Sequence, residues 1–381
     1  MRKIIIIVLS CFAVIAAGCG VVYLLFLSPI NVIINGNEVS LPRETTVSDL
    51  QNQGYLVAGP GDMLAIDGTI FEEDAGKPPT VFINGVLTHN LNTEIVADDV
   101  IAEERGIDVT EDSIPSEQTI PIQTVLEAGS DFNFYSSRLQ MVLDPGREGL
   151  EAVNIGVLSG VVMHSHVIEE MSPRVYGGRS PSFGEGLKVV AFTYDDGPHP
   201  VYTQQILDVL AKYGIKATFF MLGTSVESNP DIALRVAQAG HQVASHSYSH
   251  ASQHYLNNLS AEDAADQIST AYSVIFDATG VEARTLRPPG GNLNATGALA
   301  GTPWVNAYVG WSIDPYDYQA PGVQELVDRV ANRVFSGSIV LLHDGGGNRT
   351  QTVEASDILI RKLLNEGYTF VTIDELIALM G

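Results

Sequence analysis

Cysteine is nearly absent: only Cys11 and Cys19 occur, and both fall in the first stretch of the chain. No disulfide can staple anything beyond that stretch, so the stability of the rest must come from its core. Basic residues are scarce as well, with 20 Lys and Arg against 45 Asp and Glu and a formal net charge of −25. This balance argues against non-specific nucleic-acid binding, which depends on cations that neutralise phosphates. It also disfavours long-range attraction to anionic surfaces. What is present is ordinary for packed protein, 45% hydrophobic and 17% charged over 381 residues, enough for two or three domains.

Ile4–Leu27 carries no charge and follows Arg2 and Lys3. At about 1.5 Å per helical residue it exceeds the roughly 30 Å hydrocarbon core of a bilayer. The preceding basic residues predict a cytoplasmic start and an exported remainder, so residues 1–29 are read as a transmembrane anchor. Cleavage after the small residues Ala16-Ala17-Gly18, with lipidation at Cys19 or simple secretion, is the competing reading.

Residues 30–171 read as a strand-rich extracytoplasmic region, loosely similar to β-grasp-like modules. Asn35-Gly36 marks a hairpin, and Ile34-Asn35-Gly36 is echoed by Ile83-Asn84-Gly85, which suggests two small units in tandem. His164 and His166 share a strand face, and no carboxylate or cysteine stands beside them at ligand spacing. Residues 172–186, SPRVYGGRSPSFGEG, are rich in Gly, Ser and Pro and read as a linker.

From residue 187 to 381 strand-like and helix-like stretches alternate. Strands are expected at Lys188–Thr193, Ala217–Leu222, Gln242–Ser245, Thr285–Arg287, Asn306–Trp311, Ser338–Leu342 and Thr369–Thr372. Helices are expected at Tyr202–Tyr213, Pro230–Ala239, after Ser260, at Val323–Val334, at Val353–Leu364 and at the end. The alternation predicts parallel βα units, closed as a barrel or wound as an open sheet.

The organising stretch is Lys188–Pro200, KVVAFTYDDGPHP, in which a buried strand delivers two adjacent carboxylates, Asp195 and Asp196, to its end. Such neighbours repel and are costly to desolvate, so they call for a cation or a proton. His246 and His250 follow the third strand, one turn apart if the segment is helical. With a carboxylate they form a ligand set with open positions on a Zn²⁺-like ion. Arg287 ends the fourth strand, Asp314 and Asp317 follow the fifth, and His343-Asp344 end the sixth. Chemistry from several strands thus meets at one rim.

In order, TYDDGP, HSYSH, RPPGG, DPYD and LLHD resemble the five motifs of the polysaccharide deacetylases of carbohydrate esterase family 4, the NodB-homology domain. The resemblance covers roughly Leu187–Gly381. It implies an α/β fold, a distorted (β/α) barrel. It implies that Asp196, His246 and His250 hold a divalent metal, zinc first, with Co²⁺, Ni²⁺ or Mn²⁺ as alternatives. It further implies Asp195 as general base, His343 as general acid, Arg287 as the residue orienting Asp195, and Asp317 as the tether of Arg287. Leu341 would help form the acetyl-methyl pocket, with Gly290 and Tyr318 on the substrate side. The family usually has an aromatic residue where Gly290 stands and Trp where Tyr318 stands, so a wall of the groove is expected to be missing. The function so implied is removal of acetyl groups from N-acetylated cell-wall sugar, foremost peptidoglycan, by an enzyme anchored in the cell membrane. Another exopolysaccharide, chitin, O-acetylated xylan, or a non-catalytic glycan-binding role are the alternatives.

Overall fold

The computed structural model describes residues 28–128, 134, 138–184, 186–250 and 255–381. The anchor expected over Ile4–Leu27, with Cys11 and Cys19, lies outside the described residues, as does His254. Among the described residues no helix is long and apolar enough to cross a membrane. The chain divides into two units. One holds the described residues up to Ile120 together with Gly149–Glu170; the other holds Pro121–Glu148 and Met171–Gly381.

The first unit opens with β1 (Ile30–Ile34), β2 (Asn37–Leu41) and helix α1 (Val47–Asn52). There follow β3 (Met63–Leu64), β4 (Ile70–Glu72), β5 (Thr80–Ile83), β6 (Val86–Thr88), β7 (Val100–Glu104), β8 (Val109–Thr110) and β9 (Ser113–Ile120). Both Asn-Gly pairs form two-residue hairpin turns, with Asn35 and Asn84 at φ 48 and 54. The two hairpins do not make separate units: they join one sheet of order β2-β1-β7-β5-β6. The expectation of tandem units is corrected accordingly, because β7 pairs with a strand of each hairpin and buries both on one core. Ile30, Val32 and Ile34 alternate inward from β1 and pack with Val47 and Leu50 of α1, whose Thr46 caps it reciprocally with Asp49.

β10 (Thr124–Leu126) and β11 (Leu139–Asp144) belong to the second unit, after which β12 (Gly149–Gly156) and β13 (Val162–Glu169) return to the first, β12 pairing with both β9 and β13. β14 (Arg174–Arg179) lies in the segment read as linker. That reading is corrected: β14 pairs with β10 and β11, and β11 runs antiparallel to the strand at Ala307–Val309.

The seven expected strands are present as β15 (Val189–Asp195), β16 (Thr218–Met221), β17 (Gln242–Ser245), β18 (Thr285–Leu286), β19 (Ala307–Val309), β20 (Ser338–His343) and β21 (Thr369–Phe370). From β19 through β18, β17, β16 and β15 to β20 the pairing is parallel. The sheet curls until Ile313, just after β19, bridges Val340 of β20. Helices α2 (Tyr202–Tyr213), α3 (Gly223–Ser228), α4 (Pro230–Gln238), α5 (Ala261–Thr279), α6 (Ala295–Ala300), α7 (Val323–Ala331), α8 (Thr350–Asn365) and α9 (Ile373–Met380) fill the connections, α3 and α6 being ones the periodicity did not announce. α5 shows the local logic. Ser260 accepts the Asp263 N–H at its start, Ile268, Tyr272 and Ile275 share its buried face, and Gly280 ends it at φ 69.

Strand alternation sorts the core into two layers. Val190, Phe192 and Tyr194 of β15 pack with Val340 and Leu342 of β20 in the layer that holds the helices. Val189 and Ala191 face the other way, with Phe220, Ala244, Val309 and Ile339, into the curl of the sheet. Continuing that second row toward the strand ends gives Thr193 and Asp195 on β15, and Leu341 and His343 on β20. The inner row is therefore apolar at its base and polar at its C-terminal rim, which places the site.

Candidate active site

Asp195 closes β15 on the inner row and is 2% exposed. Asp196 takes φ 74, which turns the chain out of the strand, so the two carboxylates serve different neighbours. His246 follows β17 directly. The segment to His250 is not helical, contrary to the one-turn reading, because Ser247 stands in left-handed backbone at φ 66. The loop still brings the imidazoles together, ring centroids 5.2 Å apart.

His246 Nε2 lies 3.6 Å and His250 Nε2 3.8 Å from Asp196 Oδ1. All three side chains offer ligand atoms within 4.8 Å of one another. Around a tetrahedral ion with bonds of about 2.0–2.2 Å, neighbouring ligands sit roughly 3.3–3.6 Å apart. Asp196 Oδ1 is buried and has no hydrogen-bond partner among the described residues. An oxygen left so is costly, and a cation between it and the imidazoles relieves the cost. His246 Nδ1 donates to the Arg287 carbonyl at 2.6 Å, which leaves Nε2 as the lone-pair face. Burial pushes this imidazole down to about 3, so it is neutral, the form that ligates. The residues present therefore fit a divalent metal.

On one flank stands the pair Asp195 and Arg287. The Arg287 side chain is fully buried, lies over the Phe220 ring at 4.2 Å and donates to Asp195 Oδ1 at 2.8 Å. Its remaining N–H groups reach Thr193 Oγ1 at 2.7 Å, the Gly310 carbonyl at 2.9 Å and the Val309 carbonyl at 3.3 Å. Burial raises the Asp195 carboxyl above its ordinary value, and Arg287 beside it opposes that rise.

On the other flank His343 stands opposite Asp195 in the β15–β20 register. Its Nδ1 lies 2.6 Å from Asp317 Oδ1, and Asp317 Oδ2 accepts the His343 backbone N–H at 2.9 Å and the Thr352 hydroxyl at 2.8 Å. Asp317 thus tethers His343, and the expected tether to Arg287 is corrected: the Arg287 N–H groups go to Thr193, Asp195 and two backbone carbonyls. Burial pulls His343 down, but the hydrogen bond and charge of Asp317 override it and raise the imidazole to about 9. Asp317, although buried, is held below the usual carboxylate range by His343 and Thr352.

Leu341 is buried on β20 one inner-row step below His343. Tyr318 is exposed and presents its ring edge-on to His343, centroids 5.6 Å apart. Gly290 adopts φ 63, and the wall expected to be missing there is occupied from elsewhere. Tyr255, edge-on to His250 at 5.9 Å, has its hydroxyl 3.5 Å from where a Gly290 Cβ would stand. Sequence reading passed over Tyr255, Thr193 and Thr352, since a single Tyr or Thr outside a motif carries no signal of its own. It also left Asp344 without a part. Asp344 is buried, takes the Thr203 hydroxyl at 2.5 Å and is pushed up to about 7 by burial.

These groups define the class: a hydrolase centre in which a carboxylate and an imidazole flank a place for a divalent cation. Residues 184–301 match the family model described as polysaccharide deacetylase. The chain is 40% identical over 194 residues to a peptidoglycan-N-acetylglucosamine deacetylase of Bacillus cereus, covering 50% of this chain and 88% of the relative. It is 29% identical over 354 residues to the peptidoglycan-N-acetylmuramic acid deacetylase PdaC of Bacillus subtilis, covering 90% of this chain and 70% of that protein. The solved structure of PdaC aligns with 51% of this chain and 92% of its own, at 36% identity and a TM-score of 0.46. The chain belongs to the polysaccharide deacetylase family, and it is an enzyme of that class.

Proposed function

We propose that the protein removes acetyl groups from N-acetylated sugars of the cell wall, with peptidoglycan as substrate, and that it depends on a divalent metal, zinc first. The observation that carries this reading is the buried, partnerless Asp196 Oδ1 facing two imidazoles, with a base and an acid in register on adjacent strands. The names of the relatives from Bacillus support the substrate. The charge-free run after Arg2-Lys3 supports anchoring in the cell membrane with the enzyme outside.

Asp196, His246 and His250 would hold the metal, which when bound supplies Lewis acidity beside the acetamide. Asp195, oriented by Arg287, accepts a proton from the attacking water as its oxygen adds to the acetyl carbonyl carbon. His343, charged at neutral pH and fixed through Nδ1 by Asp317, gives its Nε2 proton to the sugar nitrogen as the C–N bond breaks. Water and amide become acetate and free amine. Leu341 lines the place of the methyl group.

The test is acetate release by the full-length protein from intact peptidoglycan, chitin oligomers and acetylated xylan, before and after chelation. Chelator-sensitive release from peptidoglycan supports the reading. Release from xylan alone, or release that survives chelation, would sink it.

A further inference from the structure

Asp196 stands in left-handed backbone at φ 74, a conformation that a residue with a side chain keeps only where its surroundings fix it. The turn that carries it, residues 195–199, is held closely. Its carbonyls from Asp195 to Pro198 accept, in order, the Asp344 N–H at 3.0 Å, the Ser225 hydroxyl at 3.1 Å, the Leu222 N–H at 3.0 Å and the Asn229 side-chain amide at 3.2 Å. The His199 N–H ends the series on Thr203 Oγ1 at 2.7 Å.

Two buried side chains beneath this turn, Thr203 of α2 and Asp344 just after β20, take no part in the chemistry described above. The Thr203 hydroxyl donates to Asp344 Oδ2 at 2.5 Å, so two hydrogen bonds in series run from the His199 N–H to the Asp344 carboxylate. That carboxylate also lies against Gly197, where a Cβ would stand 2.1 Å from Oδ2 and leaves room for glycine alone. Gly345 and Gly346 continue the contact. Cβ atoms on them would stand 2.2 Å from the Asp196 carbonyl oxygen and 2.6 Å from Asp196 Oδ2. Arg349, itself buried, fastens this segment by donating to the Gly345 carbonyl at 2.6 Å and the Gly346 carbonyl at 3.1 Å. Asp344 is nevertheless a costly residue to bury. Its Oδ1 has no hydrogen-bond partner among the described residues, and an apolar side chain in its place would avoid that cost.

We propose that Thr203 and Asp344 are positioning residues of the metal site, which lock the turn so that Asp196 meets the two imidazoles at ligand spacing. The inference rests on the metal-dependent reading of the site and deepens it. Asp344 acts through the turn from two sides, by its backbone N–H on the Asp195 carbonyl and by its side chain on Thr203 and Gly197. The link from Thr203 runs through its hydroxyl. Without that group the His199 N–H and Asp344 Oδ2 lose their shared partner together, and the turn is free to relax from the backbone that aims Asp196.

The experiment measures the Zn²⁺ dissociation constant, by competition with a chromogenic chelator, and the ligand-field spectrum of bound Co²⁺. It uses full-length wild type, Thr203→Val, Thr203→Ser and Asp344→Asn. Thr203→Val should bind Zn²⁺ about ten- to a hundredfold more weakly and alter the Co²⁺ spectrum, and Thr203→Ser, which keeps the hydroxyl, should recover most of the affinity. Asp344→Asn, which keeps an acceptor for that hydroxyl, should fall between wild type and Thr203→Val. The melting temperature of each metal-free protein is recorded alongside. A merely structural part would lower it and leave the dissociation constant and the spectrum of folded Thr203→Val unchanged, and that result overturns the proposal. Equal loss in Thr203→Ser and Thr203→Val overturns it too. Where Thr203→Val does not fold, Asp344→Asn decides alone, and binding equal to wild type overturns the proposal. Wild type that takes up no Zn²⁺ defeats the metal reading and this inference with it. Weaker Zn²⁺ binding by Thr203→Val supports the inference even if no substrate releases acetate, a result that would defeat only the deacetylase reading.

Discussion

At the scale of single residues, the centre works by giving similar groups different surroundings. Asp195 and Asp196 are neighbours, yet one is bound by Arg287 and the other is left with an orphaned oxygen toward two imidazoles. His246 is buried and His343 largely so, but one is pushed down to about 3 and the other raised to about 9, because only His343 has Asp317 on its Nδ1. Turnover that needs a protonated His343 should therefore fall as pH rises through about 9. In Asp317→Asn the largest influence opposing burial is gone and only the charges of Asp195 and Asp196 remain against it, so the alkaline limb should move to clearly lower pH. A profile of kcat against pH checks this, and a limb that stays near 9 in the variant would remove Asp317 from its assigned part. The same shift has a sign for stability. The raised pKa of His343 contributes stability that is complete below the unfolded value and is lost as pH rises through about 9. Which aspartate meets which cation could not be read from spacing. Asp317 follows one strand, Arg287 ends another and His343 a third, so partner choice is settled only when the sheet is assembled.

At the scale of elements, period and punctuation carried most of the fold. The β15 run alternates between the two core layers, and Gly214 and Gly280 close helices where their left-handed φ is needed. The two Asn-Gly pairs made the hairpins they announced. What stayed hidden was the sheet beyond β19. β14, RVYGGR, is short and polar with two glycines, so nothing in it competes with a linker reading, and its strand state comes from pairing with β10 and β11. Those pairings are the basis of a prediction. A fragment starting at Leu187 lacks β10, β11 and β14 and leaves the β19 edge open where β11 lay. It should melt several degrees lower, and aggregate sooner, than a fragment starting at Pro121. Equal melting and solubility would show that the added strands contribute nothing to the catalytic sheet.

At the scale of the whole molecule, the negative balance of the chain and its two units set the terms of function. A net charge of −25 leaves the protein no general attraction for an anionic wall, so recognition must be local. The metal is expected to act on the fold as well as the chemistry, since a ligand that binds only the folded state stabilises it by about 2.7 kcal/mol at a hundredfold excess over Kd. Added Zn²⁺ should raise the melting temperature of the protein and leave that of His246→Ala unchanged. The account turns on a metal site and a base that are adjacent yet separate. The most direct test measures metal content and acetate release side by side in wild type, Asp195→Asn and His246→Ala. Asp195→Asn should retain the metal and lose turnover by at least about a thousandfold, on the order expected for loss of a general base, while His246→Ala loses both. Turnover in Asp195→Asn equal to wild type, or a fully loaded His246→Ala, would contradict it.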